Sequence, residues 1–529
     1  MLMKRLTTLF VTAALAVCCT DRALSPESGE PGHIDDSDMI VLGERLEDPY
    51  TVENMTKALN ALYPTKAADR VPVRATHRYM RFLPKDEKEM NKLEELGIVL
   101  LDHPMDYEIV REGDWYHDPE IPEGEITWQY AAVPIATKVP LAIKQEELYR
   151  CYIPNEFMLT KSDDGIDWAA VEREAFRLTG NESLLPDAAP TKSEKSGGTP
   201  SGRITIIDAA RPGSVEGLRG VRVECNSFVK VANAYTDEDG RYRMTRSFSG
   251  NPRYRLVFKN SSGFCIGVNL LFVPASVASL GAGVPSGIDV TIDQDSDRRR
   301  FCRCVVNNAG YDYYHRCAQA SPAIKTPPSN LRLWLFQTLD VSVPAMLQQG
   351  AIIDNSKLGQ MLGYYAILLK LFMPDVLMGL KGKDSYADIY GEALHAFAHA
   401  SHFMAAGRDY WDQYVRFLVT SFVTSGLTVY GVGTEDGHGY CEVAEMWAYF
   451  LQTVLYRERY GAENTPSFGT NWWFHPQILL RLEERGLDAN RIFQVLDADV
   501  TDRELFKKKL ISYYPEHKSA INEAFAKYN

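Results

Sequence analysis

Positive charge is what this sequence is shortest of. Its 529 residues carry 57 Lys and Arg against 70 Asp and Glu, a net charge of −13. No Lys/Arg-rich patch offsets that balance, so a polyanion such as DNA or RNA is excluded as a partner. Long apolar runs are missing as well. Beyond the N-terminus the best stretch is 362–373, broken by Lys370 and stopped by Pro374, so no internal segment reads as membrane-spanning. Cysteine is scarce, with nine in all, and beyond the N-terminal pair only Cys302, Cys304 and Cys317 cluster, beside His315. A second metal site there is weighed against a disulfide involving Cys317 or plain buried thiols, and the latter two are the favoured readings.

What is present begins with an export signal. Lys4 and Arg5 precede an apolar core at 6–17 that is too short to span a bilayer. It runs into Leu15-Ala16-Val17-Cys18-Cys19, which has the form of a bacterial lipobox, with Cys18 the candidate for lipidation. Plain secretion is the alternative. On the first reading acyl chains are the only membrane attachment, and residues 19–37 are a polar tether.

A chain of this length divides into several domains. From 38 to 180 short helices and strands alternate. Helices are expected over 51–62, 86–96 and 168–178, and strands over 79–83 and 98–101, with 146–178 as a bridge carrying the last helix. Asp102-His103-Pro104 and Tyr116-His117-Asp118-Pro119 read as turns. Residues 181–202 are rich in Pro, Ser, Lys, Thr and Gly and form a linker. Period-two alternation then marks strands at 203–207, 221–225, 254–258 and 288–292, the pattern of a β-sandwich over 203–295. Asp237 and Asp239 sit where a hairpin turn needs them, and a calcium site there is the lesser reading. Residues 296–529 are mainly helical, with one strand near 331–336. The fold class expected is therefore multidomain α+β: a small α+β domain, a β-sandwich and a mainly helical C-terminal domain.

Chemistry concentrates in that last part. His395 and His399 are four apart in a helical run, so one face presents both imidazoles a turn apart, the spacing that grips zinc. Glu392 and His402 fall on nearly the same stripe. The zinc-peptidase form is H-E-x-x-H, whose glutamate polarises metal-bound water, but here Ala396 follows the first histidine. The ligand half of the motif is present and the base half is missing. The competing reading is a buried polar cluster without metal. A third ligand is expected from 438–451, where Glu445 stands in the context Glu445-Met446-Trp447-Ala448, 46 residues after His399. Glu442 is the fallback ligand, and Glu442, His402 and His438 are candidates for positions that orient the ligands.

The order of lipobox, Pro49-Tyr50-Thr51-Val52-Glu53-Asn54-Met55, His77-Arg78-Tyr79-Met80-Arg81-Phe82-Leu83-Pro84, Asp114-Trp115-Tyr116-His117-Asp118-Pro119, sandwich and helical region resembles Gram-negative surface lipoproteins. In these a sandwich resembling the carboxypeptidase regulatory-like domain precedes a gluzincin-type, zincin-like domain. The resemblance implies zinc on His395, His399 and Glu445, an outer-membrane location and a peptide or protein ligand. The departure at Ala396 implies impaired hydrolysis. Two alternatives stand beside it: an active peptidase with Glu392 or Glu442 as a relocated base, and an adhesive or scaffold lipoprotein without metal.

Overall fold

A computed structural model describes residues 38–528, apart from 65–71, 123–124, 155–164, 187–197, 212, 269–274, 338–340, 351–373 and 426–429. The signal segment 1–18, the tether 19–37 with Cys18, the middle of the linker and the apolar run 362–373 lie outside the described residues. The described chain is mixed α+β, with eleven α-helices and a mainly helical C-terminal part. Among the described residues no helix is long and apolar enough to cross a membrane.

The N-terminal part runs β1 (Val41–Arg45), α1 (Val52–Leu62), β2 (His77–Leu83), α2 (Glu87–Glu95), β3 (Tyr107–Arg111), β4 (Gln129–Pro134), β5 (Lys144–Cys151) and α3 (Trp168–Leu178). Each helix starts where a short side chain accepts from an amide that the first turn leaves free. Thr51 accepts from Asn54, Asp86 from Glu89 and Asp167 from Ala170. A three-stranded antiparallel sheet in the order β4-β2-β5 carries this part. The strand expected at 98–101 does not form. Only Leu101 pairs, in one bridge to Tyr130, before the chain turns away at Asp102 and His103. Residues 146–151, expected as a bridge, belong to β5. This edge strand is largely exposed, so no buried face imposed an apolar alternation on it.

The middle strands form two sheets. In chain order they are β6 (Ser201–Ile207), β7 (Val215–Gly217), β8 (Val221–Ser227), β9 (Lys230–Tyr235), β10 (Arg241–Arg243), β11 (Arg253–Asn260), β12 (Cys265–Val268), β13 (Val277–Ala282) and β14 (Val290–Ile292). Strands β10, β6 and β14, with β7 paired to β6, make the smaller sheet. The expected linker ends early, because Gly198 already bridges Phe248 and β6 starts at Ser201. At the 237–240 turn, Asp237 Oδ1 accepts from the amides of Asp239 and Arg241 at 3.0 and 2.8 Å. Gly240 closes the turn at φ +78°, and a Cβ there would lie 2.0 Å from the Ile204 carbonyl oxygen. The aspartate serves the hairpin.

The larger sheet does not stop at residue 295. After α4 (Arg298–Gln319), β15 (Arg332–Phe336) pairs in parallel with β12, and β16 (Val376–Gly379) pairs in parallel with β15. The strand order is β16-β15-β12-β11-β8-β9, with β13 beside β11. One apolar core runs from Ile204 and Val223 through Phe264 to Phe397 and Trp447. Helices α5 (Tyr386–Ala406), α6 (Arg408–Ser425) and α7 (His438–Tyr460) follow. They are succeeded by α8 (Gln477–Glu484), α9 (Ala489–Phe493), α10 (Arg503–Tyr513) and α11 (Lys518–Ala526). Cys151, Cys225, Cys265, Cys302, Cys304, Cys317 and Cys441 are all free and buried, so of the readings weighed for these cysteines the structure has the buried thiols. Burial pushes the Cys304 and Cys317 thiols up to about 12, which keeps them protonated and unreactive.

Two buried polar sites in this fold have measurable consequences. Lys230 on β9 pairs with Glu172 on α3, both side chains fully buried, and Ser249 Oγ donates to Glu172 at 2.6 Å. Truncating one partner strands the other charge, so Glu172→Ala should lower unfolding free energy by about 3–5 kcal/mol in urea titrations. The joint replacement Glu172→Leu with Lys230→Met should cost clearly less. Asp48 is buried, and burial pushes its carboxyl up to about 7 against hydrogen bonds from Tyr50 N and Tyr149 Oη. The folded chain thus keeps a proton that an unfolded aspartate releases near pH 4. Stability from this group is full below about pH 4 and is lost as pH rises to 7. Asp48→Asn should flatten that decline, read as urea midpoints of the two proteins across this range.

Candidate metal centre

Helix α5 is built to be buried. Ser385 accepts from the Asp388 amide while Asp388 reaches back to the Ser385 amide, a reciprocal cap that fixes where the helix begins. Six alanines at 387, 393, 396, 398, 400 and 406 are buried along it and leave room for close neighbours. Helix α7 lies against it. The Trp447 indole N–H donates to the Ala398 carbonyl at 3.2 Å, and Gln452 Nε2 donates to the Gly391 carbonyl at 3.0 Å. These two bonds key the helices in register, and they set Glu445 opposite the histidine pair.

The three side chains meet. The His395 and His399 Nε2 atoms lie 3.0 Å apart. Glu445 Oε2 is 3.4 Å from His395 Nε2, and Glu445 Oε1 is 3.4 Å from His399 Nε2. Tetrahedral ligands at metal distances of about 2.0–2.1 Å sit about 3.3 Å from one another. The contacts between the three side chains are of that size, with a different Glu445 oxygen facing each imidazole, and one ligand atom from each residue lies within 4.8 Å of the others. Among the described residues this is the one group of three or more His, Cys, Asp or Glu side chains able to hold a metal ion. Cys302, Cys304, His315 and Cys317 do not form one.

The electrostatics suit a cation. Burial opposes ionisation of Glu445, but the two imidazoles overcome it and hold the carboxyl well below its usual range. Burial lowers the His399 pKa despite the carboxylate beside it. The donor set is therefore one carboxylate with an uncharged imidazole at 399, the ionic form that metal binding requires. Tyr414 on α6, its phenol kept protonated by burial, donates to Glu445 Oε1 at 2.6 Å and steadies it. Glu445 Oε2 has no hydrogen-bond donor, nor do the outer Nδ1 atoms of His395 and His399 have a partner. An Nε2–Nε2 contact holds at most one proton, so a metal-free cluster leaves both Nδ1 atoms and Glu445 Oε2 buried and unmet. With a cation between the Nε2 atoms, the Nδ1 atoms still lack the acceptors that ordinarily strengthen such ligands.

The remaining candidates lie outside the triangle. Glu442, three residues before Glu445, turns away and pairs with Arg503 Nε at 3.2 Å. His438 Nδ1 contacts the Glu435 carbonyl at 2.8 Å, and its ring packs on Trp473. His402 is fully buried against Tyr410 and Trp411 with neither nitrogen bonded, and burial pushes its pKa down to about 3. It orients no ligand. Glu392, one turn ahead of His395, accepts from Ser342 Oγ at 2.5 Å and lies 3.4 Å from Lys383 Nζ. Two neighbours of the site carry no signal in the sequence: Tyr414, which no spacing ties to the motif, and Tyr449, one turn after Glu445, whose ring centre is 4.3 Å from that of His395.

Compared with protein-family models, curated proteins and solved structures, the chain matches none.

Equilibrium dialysis of the purified protein against zinc should recover one ion per chain. His399→Ala and Glu445→Gln should abolish that binding, whereas Glu442→Gln and His438→Ala should retain it. The bare Nδ1 atoms set the expected affinity about 10- to 100-fold below that of a site with supported histidines. Loss of the ion in Glu442→Gln with retention in Glu445→Gln would reverse the ligand assignment.

Proposed function

We propose that this chain is an exported lipoprotein with a zinc-metallopeptidase-like helical domain that keeps its metal cleft, lacks the general base, and serves as a peptide or protein binder. The observation that carries the reading is the buried His395–His399–Glu445 triangle beside the Ala396 methyl group. Two imidazoles and one carboxylate are a three-ligand donor set of the kind that leaves a position open on zinc. Zinc held there would polarise a carbonyl oxygen or lower the pKa of water. On this reading residues 38–180 are a small α+β domain, 203–295 a carboxypeptidase regulatory-like β-sandwich and 296–529 a zincin-like domain. Lipidation at Cys18 and an outer-membrane location belong to the same proposal.

Ala396 is where hydrolysis stops. It follows the first ligand on α5 and can neither accept nor return a proton. A general base is worth about 10²–10⁴ in rate. Both candidate replacements have other work: Glu392 is held by Ser342 and Lys383, and Glu442 by Arg503. These contacts count against an active peptidase with a relocated base.

Metal analysis followed by hydrolysis of a peptide library tests the reading. Wild type should carry zinc with trace hydrolysis at most, and Ala396→Glu should raise the rate by about 10²–10⁴. Wild-type hydrolysis abolished by Glu392→Ala would instead establish the relocated base. Zinc absent from both proteins would leave the adhesive or scaffold reading.

A further inference from the structure

Strand β16 ends the larger sheet, and its outer edge is covered by a piece of the same chain. Val343 and Leu377 exchange backbone hydrogen bonds, Val343 N to Leu377 O at 2.8 Å and Leu377 N to Val343 O at 3.0 Å. Met346 N donates to Asp375 O at 2.8 Å and Leu347 N to Pro374 O at 3.3 Å. At the other end the Gly379 amide donates to Ser342 Oγ at 3.2 Å. Residues 342–347 therefore run antiparallel to β16, from Gly379 back to Pro374.

This segment is not a regular member of the sheet. Its only described ladder pair is the Val343–Leu377 bridge, because the next amide due to face β16, that of Ala345, donates instead to the Val343 carbonyl at 3.0 Å. Met346, with φ +51°, sits in the left-handed region that side chains other than glycine rarely enter. Besides that bridge the segment is held by the Met346 and Leu347 amides on β16, by the burial of Val343, Ala345, Met346 and Leu347 in the apolar core, and by side-chain contacts from the helices around the candidate metal centre. Ser342 Oγ donates to Glu392 Oε1 at 2.5 Å, one turn ahead of His395. The Trp411 indole N–H donates to the Pro344 carbonyl at 2.6 Å, and the same indole packs edge-on to His399 at 6.0 Å between ring centres. A sheet edge with free backbone groups takes up extended peptides through main-chain bonds, with side-chain contacts supplying selectivity. Here a short, strained stretch meets both conditions beside the metal ligands.

We propose that residues 341–347 are a built-in occupant of a peptide-binding edge. An extended peptide with a small hydroxyl residue followed by an apolar one displaces them, hydrogen-bonds to β16, and presents its hydroxyl to Glu392 and a carbonyl to Trp411. This rests on the reading of the chain as a peptide binder, and it names both the surface and the segment that keeps the surface closed.

The test uses the full-length protein and a fluorescent peptide with the segment's own sequence, Val-Ser-Val-Pro-Ala-Met-Leu, followed by anisotropy with and without added zinc. Ser342→Ala removes both hydroxyl contacts, and Val343→Pro removes one bond of the bridge. Each should bind the peptide at least tenfold more tightly than wild type. Val343→Cys with Leu377→Cys, oxidised to lock the segment in place, should bind none until reduced. Release variants that stay folded yet bind no better than wild type would overturn the proposal, as would an oxidised lock that binds as well as wild type. Ser342→Ala deletes a single oxygen and keeps the test decisive if Val343→Pro does not fold. Zinc content measured on the same samples separates the two readings. A protein without zinc whose release variants still bind peptide fails the metal proposal and keeps this one.

Discussion

A carboxylate with no solvent exposure must find its counter-charge or its hydrogen bonds inside the protein, and Glu445 finds them on His395, His399 and Tyr414. Much of the C-terminal part follows from that need. The carboxylate and its partners come from three helices, Glu445 from α7, the histidines from α5 and Tyr414 from α6, so each helix must hold its axial position and rotation to within the reach of a hydrogen bond. The alanines of α5 permit the close approach, and the Trp447 and Gln452 bonds to α5 carbonyls fix the register. Separating α5 from α7 would leave a carboxylate and two imidazoles buried and unpaired, a cost comparable to much of a domain's net stability.

The centre also sits against the sheet. Strand β16 contacts α5, and Ser342 ties the segment along its edge to Glu392. Through β15 and β12 the same sheet reaches the strands of the middle region, and one apolar core passes under both. The metal-type helices therefore do not stand on a core of their own. Mechanical coupling between the middle strands and the centre is built into the hydrogen-bond ladder, whereas the N-terminal part is joined by a second apolar cluster that takes in Phe228 and Val229 and by ion pairs such as Arg332–Glu87 and Arg303–Asp114.

How much of this was readable beforehand depended on whether the determining forces are local. Helix α3 spans Trp168–Leu178, the range its apolar spacing predicts, because the Asp167 cap and the buried face are both encoded within a dozen residues. The four strands with clear alternation were found, with shifted ends. Strands β9, β10, β12 and β13 were not, since short or irregular segments such as Lys230–Tyr235 earn their place by pairing with distant neighbours. The strand expected at 98–101 failed for the complementary reason: it had the composition, but the chain turned away after one pair.

The metal centre divides along the same line. The sequence by itself determined that His395 and His399 share a helix face, because 3.6 residues per turn is a property of the backbone and of nothing else. It also determined that an alanine, Ala396, follows the first of the two histidines. Whether Glu442 or Glu445 faces the pair is a matter of some 60° of rotation about α7, and no local rule sets it. The tertiary structure decided it, by packing α7 so that Glu445 is enclosed by α5 and α6 while Glu442 meets Arg503 at the start of α10. A helix's own geometry fixes the angles between its side chains, but only the surfaces it packs against fix which of them point inward.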